Sequence, residues 1–348
     1  MKKIKQKKKN KNLKLFTILF IFLDLFAITG FVMMYGPWDF VRNLYVNTAM
    51  KTMDHKYLAN IFYTKEKINE IMSSNYFVTL EEDVDPDAIV IDTSEKDSYD
   101  NEYDKEILTR DKGNKDYKII DIKAGISKGY LVAIYDPTKV SLIRSTKFNV
   151  SKAYNERVIT MCARYGGLVC INGGGFEDPT GTGSNIPLGY VIDDQEILWP
   201  TKNHSTTKGN IIGFNSDGKL LLLSNSTGTE ALEKGMVDGL EFGPFLIVNG
   251  KPLEIVGDPW GRSPRVAIAQ RKDGVVLFLV IDGENYINGA TLQDMVDVLL
   301  KYGAYNAANL DGGHSTSLSV NGKLYNNPPA IAKRQGGRYV ITGFGLIP

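Results

Sequence analysis

YKIIDIKAGISKGYLVAIYD, residues 117–136, decides how the rest of the chain is read. Two runs rich in β-branched and aromatic residues, YKIIDIKA and GYLVAIYD, bracket a glycine-containing turn, which is the pattern of a β-hairpin. Downstream, further strand pairs are joined by Ser216-Asp217-Gly218, Asn249-Gly250, Asp273-Gly274 and Asn321-Gly322, all tight-turn sequences. Two helices interrupt them. One covers about Asn155–Tyr165 and ends at Gly166-Gly167. The other covers about Leu292–Tyr302, with Thr291 as N-cap, apolar Met295, Val296, Leu299 and Leu300, and Gly303 as the stop. Strands without regular βαβ alternation predict an α+β domain over residues 117–348, built on antiparallel or mixed sheet. There is no internal repeat.

N-terminal to this domain the chain changes character three times. Eight Lys and no acid lie in residues 1–14, a basic tail. The 348 residues carry 41 Lys and Arg against 40 Asp and Glu, so everything after the tail holds 33 basic and 40 acidic side chains. That excludes a globally basic, nucleic-acid-coating protein. A hydrophobic content of 43% excludes wholesale disorder, and two Cys are too few for a disulfide-stapled miniprotein. Residues 15–35, LFTILFIFLDLFAITGFVMMY, hold one charge, Asp24, and match the roughly 20 apolar residues that cross a bilayer. The run continues past Ala27–Thr29 into Phe31, Val32, Met33 and Met34, which favours an uncleaved anchor over a signal peptide. Lys residues just before the span stay cytoplasmic, which predicts residues 36–348 outside the cell membrane. Asp24 costs about 2.5–3.5 kcal/mol there. It is read either as a tolerated polar residue or as a contact for a partner helix.

Residues 36–80 are read as a helical stalk, because Phe40, Leu44, Met50, Met53, Tyr57, Leu58 and Ile61 recur at spacings near three and four. The pattern serves packing and self-association equally. Residues 81–116 hold 14 acidic and 5 basic residues and read as a solvated acidic linker.

The chemistry narrows by elimination. Three His (His55, His204, His314), no HExxH and no Cys/His cluster argue against a zinc site. Cys162 and Cys170 read more readily as small buried thiols than as a bridge. GxSxG is absent, which disfavours an α/β-hydrolase serine site. Three apolar strands instead run directly into glycines and polar groups. LVCINGGGFEDPTGTG places Asn172 and Gly173, Gly174 and Gly175 after Leu168–Ile171. VVLFLVIDGE places Asp282 and Glu284 around Gly283, and AANLDGGHSTSLSV places Asp311, Gly312, Gly313, His314, Ser315 and Thr316 between two strands. Glycines let N–H groups turn toward one point and let a ligand approach the main chain. Any one segment alone reads as a tight turn; three in one domain point to a site. GRSPRVAIAQ adds Arg262 and Arg265 before a strand, either an ion pair or a bidentate phosphate contact.

INGGGF, GPFLIVNGK, PRVAI, VIDGE, GATLQDMVDVLLKYGA and NLDGGHSTSLSVNGK, in that order, resemble the phosphodiester glycosidase family over about Tyr117–Pro348. The basic tail, single span and stalk look like its membrane-anchored bacterial members. The family's named animal activity removes N-acetylglucosamine from a sugar 1-phosphodiester. The resemblance therefore implies hydrolysis of the bond between a sugar anomeric carbon and a phosphodiester oxygen. A departing phosphate is already a stable anion, so what needs stabilising is its charge and the oxocarbenium-like sugar. On that basis Arg265, less directly Arg262, and the Gly173–Gly175 and Gly312–Gly313 N–H groups are assigned to phosphate. Asp311 first, then Asp282, are the carboxylates, with Glu177 as a reserve acid or base. Asn172, Ser315 and Thr316 would orient sugar hydroxyls or phosphate oxygens. At His314 many relatives carry a small residue, so its role is not carried over.

Two alternatives remain open. One is a phosphodiesterase that breaks P–O with Ca²⁺ or Mg²⁺ held by Asp282, Glu284 and Asp311; otherwise no cofactor is expected. The other is a non-catalytic binder of envelope polysaccharide. The expected partners are a phosphate-containing glycan and membrane lipid, with no nucleic acid. An oligomer through the stalk or Asp24 is the remaining possibility.

Overall fold

Apolar periodicity sorts the chain into a helical part and a strand part, and the structure, a computed structural model, follows that division. It describes residues 2–51, 56–146, 155–178, 186–200, 206–283, 288–329 and 336–348. Two compact units result: residues 1–76 with Gly257–Gly261, and Phe77–Val256 with Arg262–Pro348.

The first unit is helical. Helix α1, Lys2–Tyr35, contains the apolar stretch Lys14–Tyr35, 22 residues with a mean hydropathy of 2.4 and no buried surface. In place of one continuous stalk helix there are three short ones: α2 (Asp39–Lys51), α3 (Lys56–Phe62) and α4 (Lys65–Ser74). Of the periodic residues, Met50 and Leu58 pack against one buried cluster of Val46, Ala49, Ala59, Tyr63, Ile68 and Ile71, while Phe40, Tyr57 and Ile61 are exposed. Thr64 starts α4 by accepting the Lys67 N–H at 3.3 Å. The Tyr63 hydroxyl donates to the Met34 carbonyl at 2.6 Å, and the Tyr35 hydroxyl to the Phe62 carbonyl at 2.7 Å.

The second unit carries the strands. In chain order these are helix α5 (Glu102–Leu108), β1 (Tyr117–Ala124), β2 (Ser127–Ile134), β3 (Val140–Arg144), α6 (Val158–Arg164), β4 (Val169–Asn172), β5 (Val191–Asp193), β6 (Glu196–Trp199), β7 (Gly209–Asn215) and β8 (Leu220–Ser226). There follow α7 (Gly228–Glu233), β9 (Met236–Glu241), β10 (Phe245–Val248), β11 (Lys251–Pro252), β12 (Arg265–Arg271), β13 (Val276–Ile281), α8 (Leu292–Lys301), β14 (Ala304–Leu310), β15 (Leu318–Val320), β16 (Lys323–Leu324) and β17 (Thr342–Leu346). A seven-stranded sheet runs in the order β11-β10-β14-β12-β13-β2-β1. Two five-stranded sheets run β8-β7-β9-β5-β6 and β16-β15-β4-β17-β3. Every pairing within these three sheets is antiparallel, so the α+β class holds and the mixed-sheet alternative does not.

The turn sequences act as expected: Asn249, Gly250, Asn321 and Gly322 have φ of 51°, 78°, 49° and 74°, the left-handed pairs of a two-residue hairpin. Helix α8 has a capping box between Thr291 and Asp294, and Gly303 ends it at φ 77°. Phe214, Phe278 and Phe344, one from each sheet, share a single core, and the Phe214 and Phe344 rings meet edge to face at 5.9 Å.

Three expectations are corrected. Residues 81–116 are not a solvated linker but a strap on this unit. Ile89 and Ile107 are buried, and Asp104 pairs at 2.8 Å with Arg271, which Asp273 also holds. The acidic surplus is real but is punctuated by apolar anchors that composition averages away. Cys162 and Cys170 are joined in a disulfide between α6 and β4, with Cα atoms 5.9 Å apart. The helix expected over 155–165 begins only at Val158, because Glu156–Arg157 pairs with Tyr339–Val340 as a short strand.

Candidate active site

Register brings the three glycine-rich strand ends together. Strand β12 is flanked by β13 and β14, and Arg265 pairs with Ile281 while Val266 pairs with Leu310. One step further along these antiparallel ladders, Asp282 lies opposite Pro264 and Asp311 opposite Arg265. The two aspartates thus leave the same edge of the sheet, two strand spacings apart, or roughly 10 Å between main chains. Strand β4 arrives from another sheet and ends at Asn172. The Asp311 N–H donates to the Gly173 carbonyl at 2.9 Å, and the Asn172 Nδ2 donates to the Asp311 carbonyl at 2.6 Å. The Asn172 Oδ1 accepts the Ser317 N–H at 2.9 Å.

Asp311 is the half-buried carboxylate at this junction. Desolvation pushes its pKa up to about 6, against the pull of the Ser315 hydroxyl and the Gly312 N–H, which favour the charged form. The Gly313–Ser315 turn holds this arrangement: the Gly313 N–H donates to the Pro264 carbonyl at 2.8 Å and the Ser315 N–H to the Gly312 carbonyl at 3.1 Å. His314 is a half-exposed member of the turn. Beyond it, the buried hydroxyls of Thr316, Ser317 and Ser319 have no hydrogen-bond partner among the described residues. Buried hydroxyls of this kind take partners from water or a ligand.

Several residues assigned from sequence to ligand contact do something else. Asn172 spends its carbonyl and one N–H bracing backbone. The Gly173 and Gly174 N–H groups donate to the Thr342 carbonyl (2.9 Å) and hydroxyl (3.0 Å), so they do not form an anion nest. Their glycines answer to packing: a Cβ at Gly173 would sit 2.5 Å from the Leu240 side chain, and one at Gly175 3.2 Å from the Phe242 ring. Gly312 is likewise set by close approach, since a Cβ there would lie 2.6 Å from the Pro264 carbonyl oxygen. Asp282 is buried and accepts from the Asn326 Nδ2 at 2.9 Å and from the Asn327 N–H at 3.0 Å on both oxygens. It reaches the expected strand end and anchors a loop there. Arg262 is ion-paired to Asp294 at 2.9 Å and donates to the Gly289 carbonyl at 3.1 Å, which makes it part of the α8 N-terminus. Glu177 is exposed on the arm where its N–H donates to the Ile186 carbonyl. Glu284 and His204 lie outside the described residues, as does His55.

Arg265 is the cation that stays at the site. It is 6% exposed, one residue before Val266, which pairs with Leu310, and its Nε donates to the Ala290 carbonyl at 3.1 Å. Among the described residues no group of three His, Cys, Asp or Glu side chains is arranged to hold a metal ion.

Four residues the sequence reading passed over complete the junction. Asn326 ties Asp282 to the next strand, donating to the Thr316 carbonyl at 3.2 Å and accepting the Leu318 N–H at 2.8 Å. Thr342 caps the triple glycine. Arg338 pairs with Asp178 and lies 5.1 Å over the Phe176 ring. Glu241, whose carboxyl packs on Gly189 and Gly209, accepts the Tyr190 N–H at 3.1 Å, and desolvation raises its pKa. Of these only Glu241 had a sequence signal, its position just before the GPFLIVNGK motif.

Strand ends thus gather around one carboxylate and a set of buried hydroxyls on an antiparallel α+β scaffold, and this junction is the candidate site. A profile of the phosphodiester glycosidase family matches residues 165–347, and the chain belongs to that family. It is similar to the SPbeta prophage-derived uncharacterized protein YomE of Bacillus subtilis (strain 168), 29% identical over 179 residues, covering 49% of this chain and 27% of YomE. It is also similar to the Bos taurus N-acetylglucosamine-1-phosphodiester alpha-N-acetylglucosaminidase, 38% identical over 66 residues, covering 19% of this chain and 12% of the bovine protein. The chain thus spans about a quarter or less of these relatives' length. Among solved structures, the zebrafish N-acetylglucosamine-1-phosphodiester alpha-N-acetylglucosaminidase catalytic domain, auto-inhibited by its pro-peptide, shares the fold. The TM-score is 0.54 at 23% identity, over 67% of this chain and 82% of that one.

Proposed function

We propose that the chain hydrolyses a sugar-1-phosphodiester, with N-acetylglucosamine as the first sugar to test, in a phosphate-bearing polymer outside the cell membrane. Family membership supports the reaction type, and the observation that carries the site is Asp311, a carboxylate held at the meeting of three strand ends. In the reaction the anomeric C–O bond breaks and its electron pair leaves on the phosphodiester oxygen. Water supplies the new oxygen at the anomeric carbon. Ionised Asp311 offsets the positive charge that develops on the sugar and takes up the proton the water releases; Arg265 offsets the charge on the departing phosphate.

The membrane setting is part of the same proposal. Residues 14–35 have the length and composition of a span, and seven Lys precede them, which orients the domain outward. The Cys162–Cys170 disulfide agrees, because such bonds persist in oxidising compartments.

The full chain in detergent or vesicles should release free sugar from an N-acetylglucosamine-1-phosphodiester. In ¹⁸O-labelled water the label should enter the sugar, and Asp311→Asn should lose about 10³-fold or more in kcat while keeping its circular dichroism spectrum. Label in the phosphate would assign P–O cleavage instead. Undiminished turnover by Asp311→Asn would remove Asp311 from the chemistry.

A further inference from the structure

The α2–α4 bundle is apolar on two sides. Its inward face is accounted for by the cluster around Val46, Ala59 and Tyr63. Outside that cluster, Trp38 and Phe40 at the start of α2 and Tyr57 and Ile61 on α3 are 52%, 71%, 58% and 63% exposed. Tyr57 and Ile61 are one turn apart on α3, so they share a face, while Leu58, Ala59 and Phe62 point into the bundle. A small helical bundle gains nothing in water from such a surface, and contiguous exposed apolar groups mark a partner.

Three features say which partner. The apolar stretch of α1 ends at Tyr35, three residues before Trp38, and Gly36 closes its last turn through a 2.8 Å bond from its N–H to the Val32 carbonyl. The Tyr63–Met34 and Tyr35–Phe62 hydrogen bonds then clamp the α3–α4 corner onto that last turn. The outward residues are therefore held at the level where the stretch ends. Their chemistry also fits: Trp and Tyr carry an apolar body and a polar tip, the residue types that collect at the headgroup level of a bilayer. Exposed Lys56, immediately before Tyr57, places a cation where lipid phosphates lie.

We propose that Trp38, Phe40, Tyr57 and Ile61 seat the α2–α4 bundle in the headgroup layer of the membrane that α1 crosses. The proposal rests on the reading of residues 14–35 as a span, and it makes the bundle a fixed base at the lipid surface in place of a free stalk.

Trp38 is a built-in reporter, since the chain has three Trp and the other two are Trp199 and Trp260. The full chain carrying Trp199→Phe and Trp260→Phe is reconstituted into phosphatidylcholine/phosphatidylglycerol vesicles with lipids brominated at different depths. The emission of Trp38 should shift to the blue on reconstitution. It should be quenched most by bromine high in the acyl chains and least by bromine at the chain ends. Adding Phe40→Ser, Tyr57→Ser and Ile61→Ser should reduce that quenching while helicity in detergent is retained. Equal Trp38 emission in brominated and plain vesicles, in protein that resists alkaline extraction, would overturn the docking while leaving the span intact. Extraction of the chain by alkaline carbonate would overturn both. A cross-linked dimer lost in the triple serine variant, without lipid quenching, would assign the face to a second copy and overturn the proposal.

Discussion

Asp311 sits where its surroundings oppose its charge, and the sign of its pH dependence follows. The folded-state value, about 6, is above the ordinary 3.8, so the folded chain holds this proton more tightly than the unfolded chain. The stability associated with the protonated form is complete below about pH 4 and is lost as pH rises through 6. Between those limits the wild type should lose about 1–3 kcal/mol relative to Asp311→Asn, measured by urea unfolding of the full chain in detergent. Activity should run the other way. Because the ionised carboxylate is the working form, kcat/KM should rise through pH 6 to a plateau, and a profile falling over that range would make Asp311 a proton donor. Asp311 could be singled out from sequence because its strand end is one of three that run into glycines and polar groups, while its DGG alone reads as a tight turn. Asn326 could not, because Asn-Asn-Pro-Pro is ordinary loop composition and its partners come from two other points of the chain, Asp282 and the Thr316–Leu318 segment. Arg262 shows the converse: a phosphate contact was one of two readings, and the ion pair with Asp294 is the one the fold uses.

At the scale of elements, hairpins and helix caps were legible and long attachments were not. Asn-Gly pairs, a Thr-x-x-Asp box and a terminal glycine act on their immediate neighbours, so spacing alone identifies them. The 81–116 strap depends instead on isolated anchors. Ile107 is fully buried and its carbonyl accepts from the Tyr135 hydroxyl at 3.0 Å, while Asp104 reaches a guanidinium more than 160 residues away. Ile107→Ala should cost about 2–4 kcal/mol in thermal or urea unfolding and expose residues 102–108 to limited proteolysis. Unchanged stability with an unchanged digestion pattern would return the segment to the solvated linker its composition implies.

For the whole molecule, the partition of charge and of covalent links divides the chain into three unlike parts. A Lys-rich end, an apolar helix with the length and composition of a candidate span, and a disulfide-bridged domain follow one another along the chain. The Cys162–Cys170 loop spans a sequence separation of 8. In the loop-entropy account a closure of this size stabilises by about 2 kcal/mol. Protein purified under non-reducing conditions should therefore show no reactive thiols until reduced, and reduction should lower its melting temperature. Two free thiols in membrane-derived protein would contradict the bridge.

By itself the sequence determined the strand-dominated α+β class, the apolar N-terminal stretch and the turn positions. These rest on period, turn stereochemistry and charge spacing, all of which are local to the chain. Only the tertiary structure decided which groups face one another. It brought Asp311 against Gly173 and across from Arg265. It turned Asp282, Asn172 and the first two glycines of the triplet to bracing, and it closed the disulfide. The reason is register. A strand presents alternate faces, and which residue meets which depends on pairings with strands far away in sequence, fixed by burial of a core that no single segment contains.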